Sequence, residues 1–384
     1  MRKEYLMTPG PTPVPPEVLL AQAKPMIHHR APIYTEIILG VLDDLKYVFQ
    51  TKNDVIMFAS SGTGSMESAV ANCFSAGDKV LVASVGNFGE RWAKISETYG
   101  LAVTKLDYEW GEKANPQDIA DTLAKNPDIK GVMVTQSETS TGVTNDIKTM
   151  GEIVAKTPAI FIVDAISGLG ASDLKTDDWH IDVCVAGSQK ALMTPPGLAF
   201  ASVSDKAWTA VEASTLPKFY FDYKKSREAL HKAAPQSPFT PAVSTILGLA
   251  EALKLIREEG LENIFARHAV NSKATREGVK ALGLELFGKE DPNAHSVTAI
   301  RAPEGIDGQA VVKAMREKYG ITIAGGQGKV KGKIFRIGHC GYYDKFDILT
   351  VMAGLELALA ELGYDVKTGA AVAAAEKVFS EAGV

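Results

Sequence analysis

The chain is expected to fold as an α/β protein, with a large domain on a mainly parallel seven-stranded sheet and a smaller C-terminal α/β domain. Three observations carry this expectation. Short apolar runs with strand character fall at 54–60, 79–84, 102–108, 131–138, 159–166, 182–187 and 198–204. Helix-like stretches near 65–74, 90–99, 117–125 and 148–156 separate the earlier runs. Strands that are apolar throughout, alternating with helices, imply a sheet covered on both faces. Beyond Pro241 the alternation resumes on a smaller scale.

In chain order, Pro9, Pro11, Pro13, Pro15 and Pro16 make residues 1–16 an extended segment: a strap over another surface, a tail, or a segment whose Gly10-Pro11-Thr12 places backbone groups near a site. Ile37, Ile38, Val41, Leu42, Leu45 and Val48 recur at helical spacing across 33–49. The runs at 182–187 and 198–204 leave no room for a helix between them, so one of the two is expected to run antiparallel. After Pro241, Ile246, Leu249, Ala250, Leu253, Leu255 and Ile256 mark a helix ending near Gly260, followed by another over 261–282. Strand-like pieces at 297–301, 322–324 and 333–338 surround a helix at 308–319, and helices at 345–362 and 368–382 close the chain. The large domain is placed at 17–258 and the small one at 259–384.

Bulk properties exclude several classes. The 384 residues are 46% hydrophobic and 23% charged, enough for a sizeable core. A net charge of −5 gives no basic footprint for nucleic acid or a membrane surface. Cys73, Cys184 and Cys340 lie far apart, so no disulfide framework or zinc site is indicated and a reducing cytoplasm is expected. Neither a signal-peptide core near the N-terminus nor an apolar stretch of about 18 residues is seen.

In open sheets of this kind ligands bind beyond the carboxyl ends of the strands. One such end presents Gly187-Ser188-Gln189-Lys190, with Pro195 and Pro196 following. A lysine held there is partly desolvated, which lowers its pKa and frees the neutral amine to attack a carbonyl; the competing reading is a solvated loop lysine. Ser60–Glu67 is a turn of small residues opening a helix, suited to an anion or to a plain helix start. The 325–329 stretch has a similar look but leads into a strand, which favours a flexible turn. Phe88 sits between two glycines and could stack on a planar ring or pack in the core. The hydroxyl and carboxyl groups of 136–142 indicate a polar site or a helix cap. Asp164 follows four apolar residues, where a carboxylate is costly unless paired. His180, Asp182 and Cys184 alternate as on one strand face, but Cys184 falls in the apolar run, and no metal is assigned. Adjacent His28 and His29 should diverge. An anion cradle, a stacking aromatic, an acid and a lysine together fit pyridoxal 5′-phosphate, whose ring acts as an electron sink when its nitrogen is kept protonated.

Here the sequence resembles the class V aminotransferases of the fold-type I pyridoxal-phosphate enzymes, in the alanine–glyoxylate, serine–glyoxylate and serine–pyruvate branch. The matching stretches are TPGPTPVP (8–15), SSGTGSMES (60–68), VGNFGERW (85–92), SETSTGVTND (137–146), VDAISGLG (163–170), GSQKALMTPPGLAF (187–200) and GGQGKVKGKIFRIGHCGYYD (325–344), in the family's order over nearly the whole chain. The resemblance implies that Lys190 forms the Schiff base and Asp164 pairs with the ring nitrogen. It further implies that Thr63, Gly64, Ser65 and Gln189 hold the phosphate, Phe88 stacks on the ring and Thr139 contacts its hydroxyl side. Thr240 would reach the phosphate of the neighbouring subunit, making a homodimer with a shared site, and Arg336 would clamp the substrate carboxylate. Two positions depart from the pattern. Gln136 stands where many relatives have His, and Cys340 where an apolar residue is usual; Cys340 is read as packing.

The expected function is a transaminase moving an amino group from serine or alanine to glyoxylate or pyruvate, since no second cation for a dicarboxylate is evident. A lyase or desulfurase on the same cofactor is the nearest alternative. A non-catalytic relative serving as a subunit of a complex is the other.

Overall fold

The computed structural model describes residues 3–384; the first two residues of the extended segment read at 1–16 lie outside the described ones. In chain order the strands are β1 (Tyr5–Leu6), β2 (Asp54–Ser60), β3 (Lys79–Ser84), β4 (Ala102–Asp107), β5 (Gly131–Thr135), β6 (Ser137–Glu138) and β7 (Val143–Thr144). They continue as β8 (Ile160–Asp164), β9 (Val183–Gly187), β10 (Gly197–Val203), β11 (Val297–Arg301), β12 (Ile321–Thr322), β13 (Ala324–Gly325) and β14 (Ile334–Gly338).

Seven of them form the main sheet in the order β2-β10-β9-β8-β5-β3-β4. All neighbours are parallel except β10, which is antiparallel to both β2 and β9. The physical reason is the one the spacing gave: β9 and β10 are joined by the short loop 188–196, too short for a crossover helix. That loop carries Lys190.

Side chains alternate across the sheet, and both faces are covered. Val132, Val134, Phe161 and Val163 pack with Ile38, Val41 and Leu45 on one side. Met133, Ile160 and Ile162 pack with Met66, Val70 and Trp92 on the other. A separate cluster around Ile300, Phe335, Ile337, Met352 and Leu355 forms the core of the C-terminal part, where β11, β14 and β13 make a small antiparallel sheet. Met7 belongs to this second core, and β1 pairs in parallel with β12. The N-terminal segment is therefore built into the C-terminal part.

Several local readings change. Pro16 starts a helix, Pro16–Gln22, because its missing N–H falls where the first turn needs none. Helices Asp205–Ala213 and Tyr223–Leu230 are short and were not legible from periodicity; each is opened by a side-chain cap, from Ser204 and Asp222. The alternation of His180, Asp182 and Cys184 along one strand is not realised. His180 sits in a left-handed turn (φ 55°), and β9 begins only at Val183. Asp182 instead accepts hydrogen bonds from Phe161 N (2.8 Å) and Ser204 Oγ (2.7 Å), tying β8 to the turn after β10. Residues 325–329 form an edge-strand end and a 3-10 turn. Among the described residues no helix is long and apolar enough to cross a membrane, and no three His, Cys, Asp or Glu side chains gather as a metal site.

Candidate active site

The loop after β9 is pinned throughout. Ser188 Oγ donates to Pro195 O (2.7 Å) and accepts from Leu198 N. Thr12 N donates to Gln189 O, and Thr12 Oγ1 donates to Lys190 O (2.9 Å). These bonds fix the backbone on both sides of Lys190, which is 8% exposed. Its Nζ donates to Pro9 O at 2.8 Å. Burial pulls the amine down to about 8; Cys340 and Asp164 oppose the shift, while Arg336 and Arg91 add to it.

Asp164 ends β8, the strand beside β9. Its carboxylate accepts from Ile166 N (2.8 Å) and faces the Thr135 hydroxyl at 3.5 Å. Burial pushes it up to about 7, against the pull of Ile166 N–H, Arg91 and Lys190. The carboxylate is thus desolvated, and among the described residues no cation is bonded to it.

At the end of β2 the chain turns into the helix Gly62–Cys73, with Ser61 at its N-cap position. The turn is built for close approach: a Cβ on Gly62 would lie 2.6 Å from Ile166, and one on Gly64 2.0 Å from Ser60 Oγ. First-turn N–H groups such as those of Gly62 and Thr63 have no intrahelical acceptor. The three cradle residues divide. Thr63 Oγ1 accepts from Arg91 Nη1 (2.8 Å). Gly64 N bonds back to Ser61 O. Ser65 Oγ is spent on Gly62 O and Ala186 O, locking the helix to β9. Near the same turn, Gln189 Oε1 is buried without a partner.

Phe88 lies in the first turn of the helix Asn87–Thr98, with the Arg91 guanidinium 4.7 Å above its ring. The hydroxyls of Thr139 and Ser167 are 2.8 Å apart. Thr139 O accepts from Arg336 Nη1 (2.7 Å), and Gly325 O accepts from Nε and Nη2 of the same guanidinium. Burial pulls Arg336 down to about 10, opposed by Glu138. Thr240 stands apart: it is exposed, lining a cavity with Phe58, Tyr220 and Phe239.

Three residues have partners that the sequence reading did not give. Glu138 is fully buried and caps the helix Asn87–Thr98 from 50 residues away, accepting from Phe88 N (3.0 Å) and Gly89 N (3.1 Å). Burial raises it, and the bonds from Ser140, Gly89 and Phe88 oppose the rise. The hydroxyl and carboxyl groups of 136–142 suit a helix cap, but no local pattern tells which distant helix it closes. Arg91 is the second, and His268 the third: Gly341 N donates to its Nε2 (2.9 Å), while Nδ1 faces Ala171 O (3.1 Å). Of the two departures noted, Gln136 is buried with its Oε1 unpartnered, and its backbone N donates to Asp164 O (2.8 Å). Cys340 packs against Ala171 and Ala191, and burial pushes its thiol up to about 11.

Comparison with known proteins gives the family. A family model described as aminotransferase class-V matches residues 4–339. The chain is 45% identical to the soluble hydrogenase small subunit of a Synechococcus strain, over 99% of each protein. It is 38% identical to serine–glyoxylate aminotransferase of Methylorubrum extorquens, over 99% of this chain and 96% of the relative. The crystal structure of ureidoglycine–glyoxylate aminotransferase from Bacillus subtilis superposes with a TM-score of 0.94 at 34% identity, covering 99% of each chain. The mainly parallel α/β fold is thus shared with a known class of amino-group transferases. The chain belongs to the class-V aminotransferase family, and its activity is that of an aminotransferase.

Proposed function

We propose that the chain is a pyridoxal-phosphate-dependent transaminase for small substrates, with serine or alanine as amino donor and glyoxylate or pyruvate as acceptor. The observation that carries the reading is Lys190: an amine 8% exposed and pulled down to about 8, in the loop that follows β9, whose neighbour β8 ends in the buried Asp164. The residues fit the cofactor. Asp164 is a buried carboxylate short of a cation, which a protonated ring nitrogen would supply. Phe88 offers a ring face, and the Gly62–Thr63 turn offers N–H groups to a phosphate, with Gln189 beside it.

When bound, the cofactor would supply an electron sink for the substrate α-carbon. The chain's own groups would do the rest. Lys190 Nζ would take the covalent link and, once displaced by the substrate amine, move the α-proton. Asp164 would keep the ring nitrogen protonated. Arg336 has three of its N–H donors fixed on carbonyls, which leaves two of five for a substrate carboxylate. The exposed position of Thr240 is consistent with a residue offered to a second copy in a homodimer, and a cytoplasmic setting fits the three buried, unpaired cysteines. Substituting Lys190 with alanine should abolish both the near-visible absorbance of bound cofactor and turnover; survival of both would sink the reading.

A second reading, a subunit of a hydrogenase complex, rests on the name given to the Synechococcus relative. It requires a purified protein that neither captures pyridoxal phosphate nor consumes amino acids.

A further inference from the structure

We propose that Arg91 is the cation of the phosphate subsite, binding the phosphate monoester alongside the first-turn N–H groups of Gly62 and Thr63. This rests on the cofactor reading above and adds to it a residue of this chain.

Three observations converge on Arg91. It follows Phe88 by three positions on the helix Asn87–Thr98, so both side chains leave the same face. Its guanidinium lies 4.7 Å over the Phe88 ring, which fixes the plane of the fork. One corner, Nη1, donates to Thr63 Oγ1 at 2.8 Å, and Thr63 belongs to the cradle itself. Among the described residues no carboxylate pairs with Arg91; the adjacent Glu90 pairs with Lys329 instead, at 3.0 Å.

Charge balance at the site calls for such a group. A helix N-terminus contributes about half an elementary charge, while a phosphate monoester carries nearly two near neutral pH. Lys190 is committed elsewhere: its Nζ bonds to Pro9 O and would carry the link to the aldehyde carbon rather than meet the phosphate. Arg336 is anchored elsewhere, on Gly325 O and Thr139 O. Arg91 remains, and its planar fork matches phosphate oxygens in a way an ammonium does not. The same oxyanion chemistry would also suit the second carboxylate of a dicarboxylic amino acid, with Arg336 holding the first. Placement against Thr63 favours the phosphate.

The test titrates the full-length wild type, Arg91→Gln and Arg91→Lys with pyridoxal phosphate, with pyridoxal lacking the phosphate, and with inorganic phosphate as competitor. Bound aldehyde is read by absorbance. Removing a charge-assisted contact should weaken pyridoxal phosphate about 10- to 100-fold in Arg91→Gln. Pyridoxal should change less than about twofold, and phosphate should lose its ability to compete. Arg91→Lys should fall between. Equal weakening of both aldehydes would mark Arg91 as merely structural and overturn the assignment, as would no change in either. Unchanged cofactor binding with a selective rise in KM for aspartate over serine would move Arg91 to the substrate and also overturn it. Should Arg91→Gln fail to fold, the Arg91→Lys ratio decides alone. A wild type that binds neither aldehyde overturns the cofactor reading itself, a result distinct from all the others.

Discussion

The amine of Lys190 donates to the carbonyl of Pro9, 2.8 Å away and 181 residues earlier in the chain. The N-terminal segment is thereby a wall of the candidate site. Gly10, next in sequence, has φ +143°, and a Cβ there would lie 2.2 Å from Lys190 Nζ.

Gly10→Ala should therefore displace the lysine. We expect at least a hundredfold slower capture of pyridoxal phosphate, with a far-ultraviolet spectrum like the wild type. Capture at the wild-type rate would show that the segment yields without cost.

Because burial holds Lys190 near 8, below its ordinary value of 10.5, the neutral amine increases about tenfold per pH unit up to that point. The rate of aldehyde capture should rise in proportion and level off near pH 8. The sign for stability follows. The unfolded chain binds more protons than the folded one between about 8 and 10.5, so this group's contribution to stability rises with pH through that window. Lys190→Met removes the buried charge and should raise the melting temperature of the cofactor-free protein at pH 7.

Arg336→Lys keeps a charge but loses the fork that grips Gly325 O and Thr139 O. The KM for the amino-acid substrate should rise at least tenfold while cofactor affinity stays within about twofold. An equal loss of both would place Arg336 with the cofactor rather than the substrate.

Cys340 is fully buried, and its thiol is held near 11. Cys340→Ala should leave transamination within about threefold, and native protein should resist thiol reagents at that position. Release of sulfide from cysteine, lost in the variant, would restore the desulfurase alternative.

His268 bridges Gly341 N and Ala171 O and is pulled down to about 3, by burial first and Arg267 second. Replacing it with leucine strands two buried backbone groups and should cost about 2–4 kcal/mol in denaturant unfolding. A folded pKa below the unfolded 6.5 means this histidine's contribution falls as pH drops from about 6.5 toward 3. His268→Gln should flatten part of that fall, and only part, since His295 and His339 are shifted the same way.

The sheet was legible because its strands are apolar on both faces, and the antiparallel strand because 188–196 has no room for a helix. Lys190 and Asp164 were legible as polar residues ending apolar runs. Arg336 needed the family resemblance, since an arginine near a strand end carries no local signal. The partners of Glu138, Arg91 and His268 were missed because each acts across the fold on a backbone group or side chain that no spacing in the chain points to. Ser65 shows the converse: its place in a phosphate-like turn suggested a ligand contact, whereas its hydroxyl is held by two carbonyls.

Pairing of Tyr5–Leu6 with Ile321–Thr322 has a temporal consequence during synthesis. The main sheet and the helices packed on it are complete once Ile264 has left the ribosome, but Ile321–Thr322, which pairs with Tyr5–Leu6, is made more than fifty residues later. A nascent chain would leave the Lys190 amine uncovered until the C-terminal part folds, since segments made earlier fold earlier. Residues 5–12, made before any strand of the main sheet, are among the last to take their places.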